Sequence, residues 1–212
     1  MRLYLSSFGL GNRPERLVAL VPPRARVKVV VNALDNFPQA RDEWLGRERQ
    51  DLERLGFLPE ELDLRDCFGS PSRLERALDG IGLIWITGGN AFLLRRAMRQ
   101  SGFDGLIHAL LSSDRLVYAG FSAAACCAGL TLRGLECVDD PTAVTDRYDR
   151  ETIWDGLGLI GKAIAVHFQS LSPEGSAIKQ TVADWKSRNV PHLTLRDGEA
   201  LVVSGEHVEA VG

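Results

Sequence analysis

Two separated stretches carry residue types that, brought together, perform nucleophilic chemistry. The first is Leu116-Val117-Tyr118-Ala119-Gly120-Phe121-Ser122-Ala123-Ala124-Ala125-Cys126. Its first half is apolar and β-prone, as a buried strand is, and its second half is a run of small helix formers. A strand that turns directly into a helix bends sharply and lifts its pivot residue above the sheet. That pivot is Ser122, and Gly120-Phe121-Ser122-Ala123-Ala124 is a G-x-S-x-G nucleophile elbow with its last glycine replaced by alanine. A helix start there also offers free N–H groups to a developing oxyanion. The competing role for Ser122 is a plain helix N-cap, a common one for serine, so the residues around it must decide.

A serine hydroxyl attacks only when a base takes its proton, normally an imidazole oriented by a carboxylate. Of the four histidines, His108 falls in a helix leading away from Ser122 and His207 in a terminal hairpin, where both read as packing or surface residues. His192 begins a late strand and is the weaker alternative. His167 ends a strand, 45 positions after Ser122, and is the favoured base. Gly88-Gly89-Asn90 ends another strand. Glycines there let backbone N–H groups approach a ligand, and two such donors would complete an oxyanion hole with the Ala123 N–H.

The elements that must carry these residues alternate. Strands are predicted over 2–7, 26–32, 61–65, 82–87, the elbow strand, 162–168, 192–195, 199–203 and 206–211. Helices are predicted over 15–21, 38–55, 71–78, 91–100, 103–111, the elbow helix and 173–188. Arg95, Arg96 and Arg99 read as a solvated face of the 91–100 helix. Strands alternating with helices at this spacing predict β-α-β units and a largely parallel sheet covered on both faces. Sites in such sheets lie at the carboxyl ends of the strands, where Gly88-Gly89 and Ser122 fall. Between 131 and 154 the pattern dissolves into a long loop beside the elbow, and loops of that length are usually functional.

Composition narrows the function classes. The chain has 212 residues, 45% hydrophobic and 25% charged, with net charge −3. That fits one soluble catalytic domain over 1–212 and gives no electrostatic footprint for nucleic acid. No apolar run reaches the roughly 20 residues of a membrane span. Cys67, Cys126, Cys127 and Cys137 form neither a zinc pattern nor a disulfide framework, so reduced thiols and a cytoplasmic location are expected. Neither a metal nor an organic cofactor is expected. A small peptide is the expected partner, and a homodimer is compatible with the chain.

Three blocks, Ile86-Thr87-Gly88-Gly89-Asn90-Ala91-Phe92, Tyr118-Ala119-Gly120-Phe121-Ser122-Ala123-Ala124-Ala125 and Val166-His167-Phe168, resemble the peptidase E (aspartyl dipeptidase) family. In element order the resemblance spans residues 1 to about 205. It implies a three-layer α/β/α fold with a mostly parallel sheet, class I glutamine amidotransferase-like (flavodoxin-like). It also implies Ser122 as nucleophile, His167 as base, Gly89 and Ala123 as oxyanion donors, and dipeptides with N-terminal aspartate as substrates. Family members carry the acid in the loop between serine and histidine. Asp140 of Asp139-Asp140-Pro141 is its nearest counterpart, with Asp139 and Glu136 behind it. The family's S-A-G-A is here Ser-Ala-Ala-Ala and its G-G-N-T is Gly-Gly-Asn-Ala, so Ala124 and Ala91 are departures.

Four other readings compete. An α/β-hydrolase also has an elbow, but its acid and base follow further strands, and the short Ser122–His167 interval disfavours it. A glutaminase would need cysteine at the elbow. Hydrolysis of another aspartyl or isoaspartyl compound, as by the related cyanophycinase, and a binding module that has lost turnover remain the alternatives.

Overall fold

A computed structural model describes all 212 residues. Five strands run parallel: β1 (Arg2–Ser6), β2 (Arg26–Val30), β3 (Leu58–Glu61), β4 (Leu83–Ile86) and β5 (Val117–Phe121). Two antiparallel strands, β8 (Ala200–Ser204) and β9 (His207–Val211), extend the sheet, giving the order β3-β2-β4-β5-β1-β8-β9. A separate parallel pair joins β6 (Ala163–Ala165) to β7 (His192–Thr194).

The central strands are apolar on both sides because both faces are covered. Along β4, Leu83 and Trp85 face one layer while Ile84 and Ile86 face the other. Along β5, Val117, Ala119 and Phe121 join the first layer and Tyr118 the second. The first layer is closed by α1 (Pro14–Leu20) and α2 (Pro38–Arg54). The second and larger is closed by α3 (Pro71–Ala77), α4 (Ala91–Ser101), α5 (Phe103–Ser112), α6 (Ala123–Ala128) and α7 (Pro173–Ser187). This is the three-layer α/β/α fold with a mostly parallel sheet that the sequence predicts. No helix is long and apolar enough to cross a membrane.

Two expectations change. The third strand is Leu58–Glu61 rather than 61–65, where the chain instead forms a short 3-10 turn, Leu64–Cys67, capped by the Asp63 side chain. Strand β3 lies at the sheet edge, where a proline and two glutamates are tolerated, so it has little apolar alternation to reveal it. Arg95 and Arg96 are buried, 3% and 1% exposed, rather than solvated. The 131–155 segment folds over α4 and, with Asp104 of α5, supplies their partners. Arg95 pairs with Asp104 at 2.8 Å and donates to the Asp155 carbonyl. Arg96 donates to the carbonyls of Pro141, Ala143 and Glu151. The segment is otherwise irregular apart from a 3-10 turn at Leu135–Cys137.

Candidate active site

The strand register brings the chemistry to one edge. Ser6 pairs with Phe121 and Ile86 with Gly120, and the Ser122 N–H donates to the Ser6 carbonyl. The residues just beyond β1, β4 and β5, which include Ser7, Gly88, Gly89 and Ser122, therefore sit side by side.

Ser122 has φ +51° and ψ −109°, and its side chain makes no capping hydrogen bond to α6. A β-carbon residue in that conformation is strained, which fits an elbow and not an N-cap. Close packing explains how the turn is tolerated. A Cβ at Gly120 would stand 2.2 Å from the Ile86 carbonyl oxygen and 2.7 Å from the Ala124 methyl. The bare glycine at 120 thus leaves room for the alanine at 124. On the other face, Phe121 packs against Trp44, Trp85 and Phe8 at centroid distances of 5.8, 6.1 and 6.0 Å. Trp85 is itself fixed by a 2.6 Å bond to buried Glu48, whose carboxyl is pushed up to about 7 by burial.

Ser122 Oγ lies 3.1 Å from His167 Nε2. The other ring nitrogen, Nδ1, is 2.6 Å from Asp197 Oδ1. With Nδ1–H donating to the carboxylate, Nε2 is left to accept the serine proton. Ser7 braces the pair from below, its hydroxyl donating to Asp197 Oδ1 at 3.0 Å and accepting from the His167 N–H at 2.8 Å. Partial burial raises the Asp197 carboxyl, but hydrogen bonds from His167, Ser170 and Ser7 outweigh it and hold the group below its ordinary value. His167 has φ +54°, a second strained residue at the site, and Phe8 covers its ring edge-on at 6.2 Å.

Sequence reasoning missed Asp197 and Ser7. Asp197 reads as a turn residue before Gly198, and Ser7 as a strand end. The link is the parallel pairing of β6 with β7, in which Ala165 opposes Thr194, so both chains leave the pair together and bring His167 beside Asp197. That pairing spans helix α7 and has no local signature.

Asp140 is the main correction. Its carboxylate accepts from the Thr142 N–H and hydroxyl at 2.8 and 2.7 Å and lies at the surface, away from the imidazole. It closes a tight turn, as aspartate before proline commonly does. Glu136 likewise bonds only locally, to the Gly134 N–H. Asp139 is the inward-facing member of the loop. It accepts the Ala91 N–H at the start of α4 at 2.9 Å, and burial raises its carboxyl to about 6. Asn90 caps α4 through the Leu93 N–H and donates to the Asp140 carbonyl, so Asn90 and Ala91 anchor this loop. Gly89, at φ +130°, could not carry a side chain, since a Cβ would meet the Ala33 carbonyl at 2.6 Å. Gly88 abuts Phe121 and Ser122, where a Cβ would be at 2.9 and 3.0 Å. His108 bonds the Leu157 carbonyl and His192 the Val190 carbonyl, and neither reaches Ser122.

A cleft of about 440 Å³ opens over these residues. Ser122, Ala123, His167 and Gly89 line one part, and Leu34, Phe37, Leu135, Val138, Val166 and Ile178 supply apolar walls. Its other charged groups are Asp139, Asp140 and Glu174, and no arginine or lysine lines it. No group of histidine, cysteine and carboxylate side chains is arranged to hold a metal. The four cysteines are unpaired, and Cys126 and Cys127 are buried packing residues with thiols raised by burial.

An α/β/α sheet with a strained serine at a strand-to-helix junction, in line with histidine and aspartate, has the form of an acyl-transferring hydrolase. A family model, peptidase family S51, matches residues 33–211. The chain belongs to that family, the peptidase E family. It is 27% identical over 197 residues to the uncharacterized peptidase Lin0382 of Listeria innocua, covering 93% of this chain and 85% of the relative. It is 28% identical over 160 residues to the uncharacterized peptidase Lmo0363 of Listeria monocytogenes, covering 74% and 72%. Among solved structures, a candidate peptidase E protein from Listeria monocytogenes superposes with TM-score 0.80 at 22% identity, over 99% of this chain and 97% of that one. A peptidase from an acI-B1 actinobacterium gives TM-score 0.66 at 20% identity, covering 100% and 87%. These two likenesses concern the fold.

Proposed function

We propose that this protein is a serine peptidase of small peptides in which Ser122 is the nucleophile, His167 the base and Asp197 the acid that orients it. The observation that carries this reading is the continuous line Ser122 Oγ–His167 Nε2–His167 Nδ1–Asp197 Oδ1, at 3.1 and 2.6 Å. Ser122 attacks the scissile carbonyl as His167 Nε2 takes its proton. Asp197 stabilises the resulting imidazolium. The N–H groups of Ala123, at the start of α6, and Gly89 are the candidate donors to the oxyanion. The imidazolium then returns the proton to the leaving amine, and water hydrolyses the acyl-enzyme by the reverse path. The cleft suits a short ligand because the 131–155 segment and α7 wall it on two sides.

Specificity for N-terminal aspartate, which the family resemblance implies, would require a cation beside the substrate side chain. The lining offers carboxylates instead, so the general peptidase reading is retained without that specificity. The departures at Ala124 and Ala91 do not favour a degenerate binding module. The first is accommodated against Gly120, and the second meets the loop through its backbone N–H.

The test is covalent. Incubation with a fluorophosphonate and peptide mapping by mass spectrometry should find the adduct on Ser122, and His167→Ala should abolish it while the protein stays folded. An unmodified Ser122, or undiminished labelling in His167→Ala, would refute the assignment.

A further inference from the structure

We propose that Asp35 is a positioning residue for the oxyanion hole. It holds the turn after β2 whose Ala33 carbonyl aims the Gly89 N–H, and Tyr148 completes the hold from the 131–155 segment. This rests on the reading above, in which Ser122 is the nucleophile and Gly89 an oxyanion donor, and it adds what keeps that donor in place.

The bend Gly88-Gly89-Asn90 has no side chain at its first two positions to fix it, so its backbone is fixed from outside. The Thr87 N–H donates to the Val30 carbonyl at 3.0 Å and the Asn90 N–H to the Ala33 carbonyl at 2.9 Å. Gly89 lies against that second carbonyl so closely that a Cβ would stand 2.6 Å from its oxygen. The direction of the Gly89 peptide therefore follows the position of Ala33. Ala33 is the middle residue of a 3-10 turn, Asn32–Leu34, which has no side-chain cap. So short a 3-10 turn has poor hydrogen-bond geometry of its own, and its place must be set by its neighbours.

A buried polar network sets it. Asn32 accepts the Leu64 N–H at 3.0 Å and donates to Asp35 and Asp63 at 2.8 and 2.9 Å. Asp35, whose side chain is wholly buried, also receives Arg41 Nε at 2.9 Å and the Tyr148 hydroxyl, and Arg65 Nε stands at 3.4 Å. One carboxylate thus joins the turn after β2, helix α2, the 3-10 turn after β3 and the 131–155 segment. Burial and the Asp35 charge hold the Tyr148 hydroxyl well above its ordinary range, so it stays protonated and donates. A buried carboxylate is tolerated when its acceptor sites are used, and a network satisfied in this way fixes one arrangement of the elements it joins.

What this network holds ties it to the reaction. Leu34 and Phe37, on either side of Asp35 in sequence, wall the cleft, and Ala33 is the contact of Gly89. The segment that brings Tyr148 also reaches the bend from its other side, where the Asn90 side chain donates to the Asp140 carbonyl at 2.9 Å. The imidazole is held separately, by Ser7, Asp197 and Ser122. Loosening the network should therefore displace an oxyanion donor and leave the base as it is.

Tyr148→Phe tests this, since it removes one hydroxyl and keeps the ring that packs edge-on against Phe68 at 5.2 Å. Inactivation by an alkyl fluorophosphonate over a range of concentrations separates the binding constant, KI, from the limiting rate of phosphonylation, kinact. Losing a whole oxyanion donor slows reaction by about 10²–10³-fold, and a displaced donor should lose part of that, about tenfold in kinact. KI should stay within about twofold and the pH midpoint of kinact should not move, with near-UV circular dichroism showing the native fold. Asp35→Asn should lower kinact at least as far; if that variant does not fold, Tyr148→Phe decides alone. A kinact within about twofold of the unsubstituted protein, a loss carried by KI, or a shifted pH midpoint would each overturn the proposal. The last two would place the effect in the cleft wall or on the imidazole. Labelling of Ser122 that is indifferent to Tyr148→Phe leaves the nucleophile assignment standing and removes this one, whereas an unsubstituted protein that is never labelled removes both.

Discussion

Replacing Asp197 with asparagine separates the two roles a carboxylate has beside a catalytic imidazole. Asp197 Oδ1 receives both His167 Nδ1, at 2.6 Å, and the Ser7 hydroxyl, at 3.0 Å. If the amide keeps its oxygen in that place, both bonds survive and only the charge is lost. Unit charges about 4 Å apart contribute about 4 kcal/mol near a protein surface. The Asp197 side chain is 43% exposed, and screening reduces this to about 2 kcal/mol, a roughly thirtyfold slowing. If the amide turns its nitrogen to the ring instead, the imidazole must carry its proton on Nε2 and cannot accept one from Ser122. The loss then approaches the roughly 10⁴-fold of the wrong tautomer. The expected result is a slowing between these two limits. The assay is the second-order rate of Ser122 labelling by a fluorophosphonate, which needs no knowledge of the substrate. Asp140→Asn serves as the comparison and should stay within about twofold of the unsubstituted protein, because its carboxylate only closes a surface turn. An Asp197→Asn rate within about threefold of the unsubstituted protein, or a greater slowing in Asp140→Asn, would refute the assignment of the acid.

Two further predictions concern the loop over the cleft. Burial raises the Asp139 carboxyl from 3.8 to about 6, so folding opposes its ionisation; the penalty is absent below the unfolded pKa, grows as pH rises towards about 6, and is complete above it, at an order of 3 kcal/mol. Asp139→Asn keeps an acceptor for the Ala91 N–H and should therefore stabilise the fold by about 2–3 kcal/mol at pH 8 and hardly at all at pH 3.5; urea titrations at the two pH values check this, and equal effects would contradict it. Arg96→Met should strand the carbonyls of Pro141, Ala143 and Glu151 and cost about 2–4 kcal/mol, with limited proteolysis accelerated between 141 and 152. Unchanged cleavage there would mean that Arg96 does not hold the segment.

What the sequence made legible follows from which contacts are local. The elbow is written in consecutive residues, because a strand, a bend and a helix each leave their own signature. His167 is legible as the end of a short strand, and Gly88-Gly89 as the end of another. Asp197 is not, since its place depends on β7 lying parallel to β6 outside the main sheet. The choice between Asp139 and Asp140 was equally hidden. Both are acidic loop residues, and what turns one inward is the first N–H of α4, which belongs to another element. The burial of Arg95 and Arg96 was masked in the same way. Their helix reads as amphipathic with a charged face, and only the tertiary placement of the 131–155 segment converts that face into an interior one.

The carboxylates at this site are sorted by their surroundings, and the sorting is the strongest internal argument for their roles. Asp197 accepts from the Ser7 hydroxyl and from His167, and is held below its ordinary value. It is ionised throughout the neutral range, as an acid that stabilises an imidazolium must be. Asp139 accepts a single backbone N–H and is raised to about 6. It lacks the further partners that would hold its ionised form. The two carboxylates are pushed in opposite directions because one is hydrogen-bonded to an imidazole and a hydroxyl and the other is buried on one backbone N–H. The arrangement sets Asp197 against the imidazole and Asp139 against the first N–H of α4. A sequence reading that seeks one acid between Ser122 and His167 finds the wrong one, because the loop that supplies the inward-facing Asp139 occupies that interval while the carboxylate on the imidazole follows α7 and β7.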